Sequence, residues 1–410
     1  MKWENVTLGQ LVDEGEVEIQ TGPFGTQLKA SDYVVNGIPV INVRNIGYGL
    51  LHDDKLEFIS DQTAERLGRH SLMKDDIAFG RKGAVDRHLL VRDKEQGWLQ
   101  GSDCIRLRVI TDKLRSHFLS YQLLTPYHKQ WILNQSGNKS TMASLNQDVI
   151  KRISLFLPNT HIQDQIVDVL KAYDSLIENN RRRIELLEQA ARLLYKEWFV
   201  HFRFPGHEHV KIVDGVPEGW VLGNLEDFYD TSSGGTPSRK NSNYYGGEIN
   251  WIKTQELNGG FIFSSDETIS EEGLRSSSAK LFNPGTVLLA MYGATIGQVA
   301  ILAVPSSTNQ ACCAIMPLHE CASTEYMFLF LKEYKESLKG LAQGSAQNNI
   351  SQQIIRNIRM CLPDRKVMKL FSDYCSPLLD KIRVLEAMNI KLTQARDLLL
   401  PRLMNGEIAI

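Results

Sequence analysis

A chain of 410 residues is too long for one hydrophobic core and predicts about two to four domains. Its hydrophobic content of 42% and charged content of 23% are typical of a soluble globular protein. The formal net charge of −2 excludes the strongly basic balance of a protein that binds nucleic acid through its overall charge. Any contact with DNA must therefore come from local patches, or be shared with a basic partner.

The start of the chain and its cysteines exclude further classes. The first ten residues lack the apolar core of a signal peptide, and no apolar run approaches the ~20 residues of a membrane span. We therefore expect a cytoplasmic protein with no membrane contact. The six cysteines form no Cys-x-x-Cys pair, and no histidine cluster completes a zinc site, so we predict buried free thiols and no metal.

Residues 1–157 predict a first unit that mixes strands and helices. Short apolar runs with β-branched residues, bordered by glycine or proline, indicate strands at 38–43, 89–91 and 104–109. Residues 113–133 have helical periodicity instead. The unit is therefore predicted to be mixed α and β.

Residues 158–199 predict one long helix. Pro158 suits a helix start, and Asn159 or Thr160 is a candidate cap for the first amides. The segment contains no glycine and no further proline, and its apolar residues recur every three or four positions. At ~1.5 Å per residue, about 38 helical residues span ~57 Å, and their apolar stripe requires a partner.

After a linker at 200–217, the segment 218–362 repeats the first unit. Gly37 and Gly247 lie in similar segments, and so do Gly83 and Gly293; both pairs are 210 residues apart. Gly83 and Gly293 are better explained by turn geometry than by recognition.

The second unit repeats the first in its predicted elements as well. Its apolar runs at 287–291 and 299–303 again predict strands, and 324–341 predicts a helix. The Leu-Pro pair that precedes the first long helix recurs as Leu362-Pro363. The chain therefore contains two copies of one plan.

Residues 363–410 predict the second long helix, with a nearly heptadic apolar stripe and with Pro401 and Gly406 as stop signals. Two helices that alternate with two similar units must run antiparallel, because each unit leads into the next from the opposite end. We predict an α+β fold in which two mixed α/β units form a pseudo-twofold repeat, separated by two long antiparallel, coiled-coil-like helices. Asn180, close to the stripe, is predicted to fix the register of the pair.

Several segments in this order resemble the specificity subunits of type I restriction-modification systems. They are the Leu-Pro pairs before each long helix, Glu178-Asn179-Asn180 with the Arg-rich turn that follows, the loop 235–237 ahead of Asn250-Trp251-Ile252, and the ending 396–408. The resemblance covers essentially the whole chain. It implies that 1–157 and 218–362 are target recognition domains, each reading one half of a bipartite site in double-stranded DNA.

The resemblance also implies partners. The helices 158–199 and 363–410 are expected to space the half-sites and to dock two methyltransferase (M) subunits, with restriction (R) subunits completing a nuclease. S-adenosylmethionine, ATP and Mg are expected on these partners, with no cofactor in this chain. Half-sites read in successive major grooves lie ~34 to 36 Å apart, a separation that a rigid helix pair can fix.

Catalytic signals are poor. Asn283-Pro284-Gly285 is not the Asn-Pro-Pro-aromatic motif of amino-methyltransferases, and no Gly-x-Gly-x-x-Gly loop is present. Glu333-Tyr334-Lys335 has the Glu-x-Lys of many nucleases without an evident acidic partner upstream. We predict a non-catalytic chain. The alternatives are a protein-interaction scaffold whose coiled-coil rod spaces two modules without DNA and, less favoured, an autonomous nuclease or methyltransferase.

Candidate DNA contacts are polar loop residues, because amide, hydroxyl and cationic side chains reach base edges and phosphates. In the first unit they are Thr21, Gln27, Lys29, Arg44, Asn45, Arg81, Lys82, Arg87, Asn138 and Lys139. In the second they are Ser233, Thr236, Ser238, Arg239, Lys240, Lys253, Gln255, Tyr292, Thr295, Asn309, Gln347 and Asn348. A solvated loop residue is the competing interpretation for each.

Overall fold

The computed structural model describes residues 3–137, 143–343 and 349–408, with the side chain of Gln343 left out. The chain divides into two compact units. Unit 1 comprises Met1–Leu176 and Leu392–Ile410, and unit 2 comprises Ile177–Lys391. Each unit therefore contains one of the two repeats and part of each long helix.

Unit 1 contains eleven short strands and five short helices among its described residues. The strands are β1 (Glu4–Thr7), β2 (Val17–Thr21), β3 (Tyr33–Val34), β4 (Ile38–Ile41), β5 (Tyr48–Gly49), β6 (Glu57–Ile59), β7 (Ile77–Gly80), β8 (His88–Leu90), β9 (Leu99–Gln100), β10 (Cys104–Val109) and β11 (Ser154–Leu157). The helices are α1 (Leu8–Asp13), α2 (Asp61–Arg66), α3 (Ser116–Leu124), α4 (Pro126–Ser136) and α5 (Gln147–Lys151). They are followed by the first long helix, α6 (Thr160–Tyr195).

The strands of unit 1 form a five-stranded sheet in the order β2-β10-β7-β8-β5, a four-stranded sheet in the order β3-β6-β4-β9, and the pair β1-β11. Successive side chains of a strand point to opposite faces of its sheet, so neighbouring residues show what packs on each face. Ile105 and Leu107 of β10 pack in the same cluster as Phe118 of α3. Cys104, one residue earlier, packs with Ile41 of the four-stranded sheet. The five-stranded sheet is therefore covered on both faces.

Unit 2 repeats this plan. Its strands are β12 (Ile212–Val213), β13 (Val216–Pro217), β14 (Val221–Asn224), β15 (Tyr229–Ser233), β16 (Tyr245–Ile252), β17 (Phe261–Ile262), β18 (Thr268–Ile269), β19 (Leu281–Phe282), β20 (Val287–Ala290), β21 (Val299–Leu302), β22 (Ser306–Thr308), β23 (Cys312–Pro317) and β24 (Arg359–Leu362). Its helices are α7 (Glu271–Arg275), α8 (Thr324–Gln343) and α9 (Gln352–Arg356), and the second long helix, α10 (Arg365–Met404), follows.

The sheet orders show that the repeat predicted from the sequence is correct. The five-stranded sheet of unit 2 runs β15-β23-β20-β21-β17, and β14 pairs with β24 as β1 pairs with β11. The register is also repeated, because Ile105 faces Thr21 in unit 1 and Ile315 faces Thr231 in unit 2. The predicted fold class, with two mixed α/β repeats and two long helices, is confirmed.

The helix predicted over 113–133 is corrected to two helices, α3 and α4. Thr125 separates them with an extended backbone, φ −61° and ψ 147°, because a residue that precedes proline is disfavoured in the helical region. Its hydroxyl then accepts a hydrogen bond from the His128 amide and caps α4. Similarly, Asn159 rather than Thr160 caps α6, since its Oδ1 accepts from the Ile162 amide at 3.0 Å.

Pro401 does not stop the second long helix, contrary to the sequence prediction. It lies within α10, and its carbonyl accepts a hydrogen bond from the Asn405 amide at 3.1 Å. Proline removes only the bond that its own nitrogen would donate, and the burial of Leu400 and Leu403 holds this last turn in the core of unit 1. Gly406, at φ +75°, follows the helix end.

The long helices pack antiparallel in unit 2, as predicted. The Asn180 Nδ2 atom of α6 donates to Asn389 Oδ1 of α10 at 2.9 Å. In the π-helical turn Lys196–Val200 that follows α6, the contact is with an earlier part of α10, where the rings of Trp198 and Phe371 lie 5.8 Å apart. In unit 1, Asp174 of α6 accepts from Arg396 of α10 at 2.7 Å.

Asn180 is 5% exposed and its Nδ2 donates to Asn389 Oδ1, whereas Asn389 Nδ2 donates to the Ile177 carbonyl at 3.4 Å. We therefore expect Asn180→Leu to leave Asn389 Oδ1 without its donor. The loss should be about 1–3 kcal/mol of the free energy of unfolding of unit 2, measured by chemical denaturation. The double variant Asn180→Leu, Asn389→Leu should recover most of it, because no polar group is then buried without a partner. Asn179→Leu, at the exposed neighbouring position, is the control; equal losses at 179 and 180 would contradict the role of the pair.

Glu386 joins α10 to the sheet of unit 2. Its Oε2 accepts a hydrogen bond from the Phe261 amide at 3.0 Å. Burial raises the pKa of Glu386 to about 7, and Glu188 adds to the rise, whereas the Phe261 amide and Lys332 oppose it. Between the ordinary pKa of 4.5 and about 7, the folded chain holds a proton that the unfolded chain has lost. The stability of unit 2 therefore falls as pH rises through this window.

Glu386→Gln is expected to flatten this dependence, since a glutamine oxygen accepts from the Phe261 amide without a charge. At pH 8 the variant should be more stable by about 3 kcal/mol, whereas at pH 4 it should match the parent chain. Denaturation midpoints measured between pH 4 and pH 8 test this. Glu178→Gln, which changes an exposed carboxylate of α6, should leave the pH profile as it is. A Glu386→Gln profile as steep as that of the parent would refute the assignment.

Candidate DNA interface

The loops that follow β7 and β20 have the same local structure. Lys82 forms an isolated antiparallel β-bridge with Ser144, and Tyr292 forms one with Asn349. Gly83 and Gly293 take φ of +74° and +66°, a left-handed conformation that favours glycine, so the turn role predicted for them is correct. Four candidates, Asn138, Lys139, Gln347 and Asn348, lie outside the described residues.

In each unit, a glutamine on a short helix donates a hydrogen bond to a threonine of the first strand of the five-stranded sheet. Gln147 Nε2 of α5 donates to Thr21 Oγ1 of β2 at 2.8 Å. Gln352 Nε2 of α9 donates to Thr231 Oγ1 of β15 at 3.0 Å. Thr21 was a sequence candidate, but the glutamines and Thr231 were not. The repeat was the signal that could have identified them, because Thr21 and Thr231 share the same strand register.

Two cationic candidates of unit 1, Arg81 and Lys82, follow β7 directly. The Arg81 guanidinium lies 5.0 Å from the centre of the exposed Phe24 ring. Gln27 Oε1 accepts from the Phe24 amide at 3.2 Å and so shapes the same loop. Lys82 pairs with Asp103 at 3.1 Å on the surface. Such exposed pairs contribute little to stability, so both cations are available to an incoming phosphate.

Arg44 and Lys29 differ from Asn45 in exposure. Arg44 is exposed and pairs with Glu57 at 2.9 Å, and Lys29 is also exposed. Asn45 is fully buried: its Nδ2 donates to the carbonyls of His52 and Asp54 at 2.9 and 3.1 Å. The prediction that Asn45 contacts DNA is corrected, because its amide is used to hold the loop from inside.

Tyr48 is an exposed aromatic residue that the sequence candidates missed. Arg87, which was a candidate, lies 5.3 Å from the centre of its ring, and Lys129 Nζ lies 4.8 Å from it. The Tyr48 hydroxyl donates to Asp86 Oδ2 at 2.7 Å. Two cations beside one aromatic face form a patch of the kind that binds phosphate and stacks on bases. Only the fold brings Tyr48 and Lys129 together.

In unit 2, Arg239 lies at the centre of a second patch. Its guanidinium lies 4.2 Å from the centre of the Tyr245 ring and 5.3 Å from that of Trp251. It also pairs with Glu267, and this hydrogen bond lowers the pKa of the Glu267 carboxyl. Lys253 Nζ lies 3.5 Å from the same carboxylate. Glu256 Oε2 accepts from the Lys253 amide at 2.6 Å, so the two cations of the patch are balanced by two carboxylates.

The other candidates of unit 2 divide by their hydrogen bonds. Thr236 donates to Gln310 at 2.5 Å, and Thr295 donates to the Tyr292 carbonyl at 3.0 Å. Asn309 Oδ1 accepts from the Ala311 amide at 3.1 Å, which fixes its own turn. The candidates that remain exposed are Ser238, Lys240, Gln255 and Tyr292, with Ser233 half-buried at the end of β15.

Residues 1–189 and 217–394 match the family described as type I restriction modification DNA specificity domain. The chain belongs to this family. It is 29% identical to the HindI type I restriction enzyme specificity subunit of Haemophilus influenzae, over 83% of this chain and 88% of that one. It is 25% identical to the MjaIX specificity subunit of Methanocaldococcus jannaschii, over 73% and 70%.

A solved structure has the same fold. The S subunit of a type I restriction-modification system from M. genitalium superimposes with a TM-score of 0.64 at 15% identity, covering 98% of this chain and 96% of that one. Specificity subunits of this family are non-catalytic, which accords with the prediction for this chain. Glu333, the acid of the nuclease-like tripeptide, is paired with Arg192 and Lys196 and so has a structural role.

The described residues bear on two further predictions. No group of three or more His, Cys, Asp or Glu side chains among them is arranged to hold a metal ion. None of their helices is both long and apolar enough to cross a membrane. All six cysteines are free; four are buried, and Cys321 and Cys361 are half-buried.

Proposed function

We propose that this chain is the DNA-recognition subunit of a type I restriction-modification complex, in which each repeat reads one half of a bipartite site. The observation that carries the proposal is the repeated loop geometry, since the same strand ends carry different polar side chains in the two units. At the repeated loop position, Lys82 opposite Ser144 in unit 1 is replaced by Tyr292 opposite Asn349 in unit 2. Two similar surfaces with different side chains are suited to reading two different short sequences.

The long helices are proposed to set the distance between half-sites and to dock two methyltransferase subunits. Leu186 and Leu193 of α6 are exposed one heptad apart, and Val384 and Met388 of α10 are also exposed. Exposed leucines on a charged helix are typical of a protein interface. S-adenosylmethionine, ATP and Mg would then belong to the methyltransferase and restriction subunits, and the assembly would act in the cytoplasm.

The near-neutral net charge of the chain agrees with a complex in which other subunits also contact the DNA. A protein that neutralises phosphates alone needs a basic surface, whereas partners that surround the duplex can supply much of that contact. Arg181, Arg182 and Arg183 are exposed on α6 and could meet either the spacer DNA or an acidic partner surface.

Selection from a random-sequence DNA pool tests the proposal. The chain, combined with the methyltransferase subunit encoded with it, should enrich duplexes with two short conserved blocks separated by an unconserved spacer. Affinity for the enriched duplex should exceed that for random duplex by about 1,000-fold or more at physiological salt. Enrichment of no motif, with protein partners retained, would favour the scaffold alternative in which the two units bind proteins.

A further inference from the structure

A cleft of about 310 Å³ opens at the end of β2 in unit 1. Gln20, Thr21, Phe24, Gln27, His70 and Gln147 are among its lining residues, together with the exposed Arg69. None of the residues that line it is acidic. Amide side chains, an exposed ring and no carboxylate suit a ligand with hydrogen-bond acceptors and a flat face.

A chain of buried hydrogen bonds fixes the state of His70. Arg106 is 2% exposed, and its Nη2 donates to Gln20 Oε1 at 3.0 Å. The Gln20 amide is thereby oriented with Nε2 towards His70 Nδ1, 3.2 Å away. Since an amide nitrogen only donates, His70 Nδ1 must accept, and the proton of the neutral ring is on Nε2. The opposite amide orientation would place two donors, from Arg106 and Gln20, against each other.

His70 Nε2 is therefore a buried donor that finds no hydrogen-bond partner among the described residues. The ring is 3% exposed, and its burial, with Arg69 and Arg106 nearby, lowers the pKa of His70, which keeps it neutral. An unpaired buried donor is unfavourable and is unusual in a folded protein. Because His70 lines the cleft, a side-chain adjustment on binding would bring this donor to a ligand acceptor.

The repeat places a different side chain at the same position of unit 2. Unit 2 has a four-stranded sheet in the order β18-β16-β22-β19, in which Leu281 of β19 pairs with Ser307 of β22. At the corresponding point of unit 1, Ser71 forms an isolated β-bridge with Leu99 of β9. His70 precedes Ser71 in unit 1, and Lys280 precedes Leu281 in unit 2. Lys280 Nζ reaches the end of β15, where it donates to Ser232 Oγ at 2.8 Å. One position thus carries a neutral donor in one unit and a cation in the other.

We propose that the cleft of unit 1 receives a base edge of the first half-site and that His70 Nε2 donates to an acceptor on that base. This inference rests on the proposed function and adds a specificity-determining residue to it. A neutral donor flanked by glutamine amides matches the carbonyl or ring nitrogen of a base, whereas a phosphate would favour a cation such as that of Lys280. The repeat-equivalent residues 70 and 280 would then help to make the two half-sites differ.

The test compares His70→Ala, His70→Gln and the parent chain, each with its methyltransferase subunit, on duplexes substituted at every position of the selected motif. His70→Ala should reduce discrimination about 10-fold to 100-fold at one base pair of one half-site. His70→Gln, which keeps an N–H donor, should retain more of it. His209→Ala, at an exposed histidine, is the control.

Unchanged discrimination at the other half-site shows that the variant is folded. Equal loss over all sequences would indicate a phosphate contact, and no loss would indicate a structural histidine; either result overturns the proposal. A parent chain that selects no motif would instead refute the proposed function itself, so the two failures are distinguishable.

Discussion

Replacing residues 1–157 with the matching segment of another family member is expected to change one half of the methylated motif and to leave the other half as it was. The junction lies after β11, so that β11 is exchanged together with its partner β1. The core clusters of the recognition module lie largely within this segment, although Ile166 and Leu170 of α6 and Leu400 of α10 complete one of them. Methylation of the original site should fall more than about 100-fold, because each mismatched base pair costs about 1–3 kcal/mol.

Mapping of methylated bases measures both halves at once. The reciprocal exchange of 218–362 is the matched control and should change the other half only. If exchanging one segment abolished recognition of both half-sites while the chain remained folded and bound to its partner, the two units would not read their half-sites independently.

Lengthening both long helices is expected to change the spacer without changing either half-site. Seven residues inserted between Leu176 and Ile177, and seven between Lys391 and Leu392, keep the apolar stripes close to in phase, since seven residues make almost two turns. They add about 10 Å at ~1.5 Å per residue. We expect the unread spacer to grow by up to about three base pairs and methylation at the original spacing to fall at least 100-fold.

The control inserts seven residues into α6 alone, which should disrupt helix pairing and abolish methylation at every spacing. Spacer libraries of one motif, read by methylation, provide the measurement. An unchanged spacer preference in the doubly extended chain would show that the helices do not set the distance.

The repeat made the fold predictable from the sequence. Strands at 104–109 and 287–290 could be predicted because apolar and β-branched residues run between clear borders, and a constant spacing of 210 residues linked the two units. The prediction that Pro401 ends the second long helix was wrong. Proline is tolerated there because its carbonyl still accepts a helical hydrogen bond and the leucines beside it are buried. Tertiary burial overrode the local signal there.

The DNA interface was less predictable, because the type of a residue does not determine whether its side chain is exposed or which partners it has. Asn45 has the side chain of a base-reading residue, yet its Nδ2 donates hydrogen bonds to two backbone carbonyls inside the fold. Tyr48 became a candidate only when the fold placed Arg87 and Lys129 beside it. His70 required the buried Arg106 and Gln20 to define its free nitrogen. Contacts between residues far apart in sequence decide each of these cases.

The most direct test of the central claim is to map methylated adenines in random-sequence DNA after incubation with the chain, its methyltransferase subunit and S-adenosylmethionine. We predict one bipartite motif, with two short specified blocks and a spacer of fixed length and free sequence. Omission of the chain should abolish the motif. Methylation without sequence preference, or within one continuous block, would contradict the account.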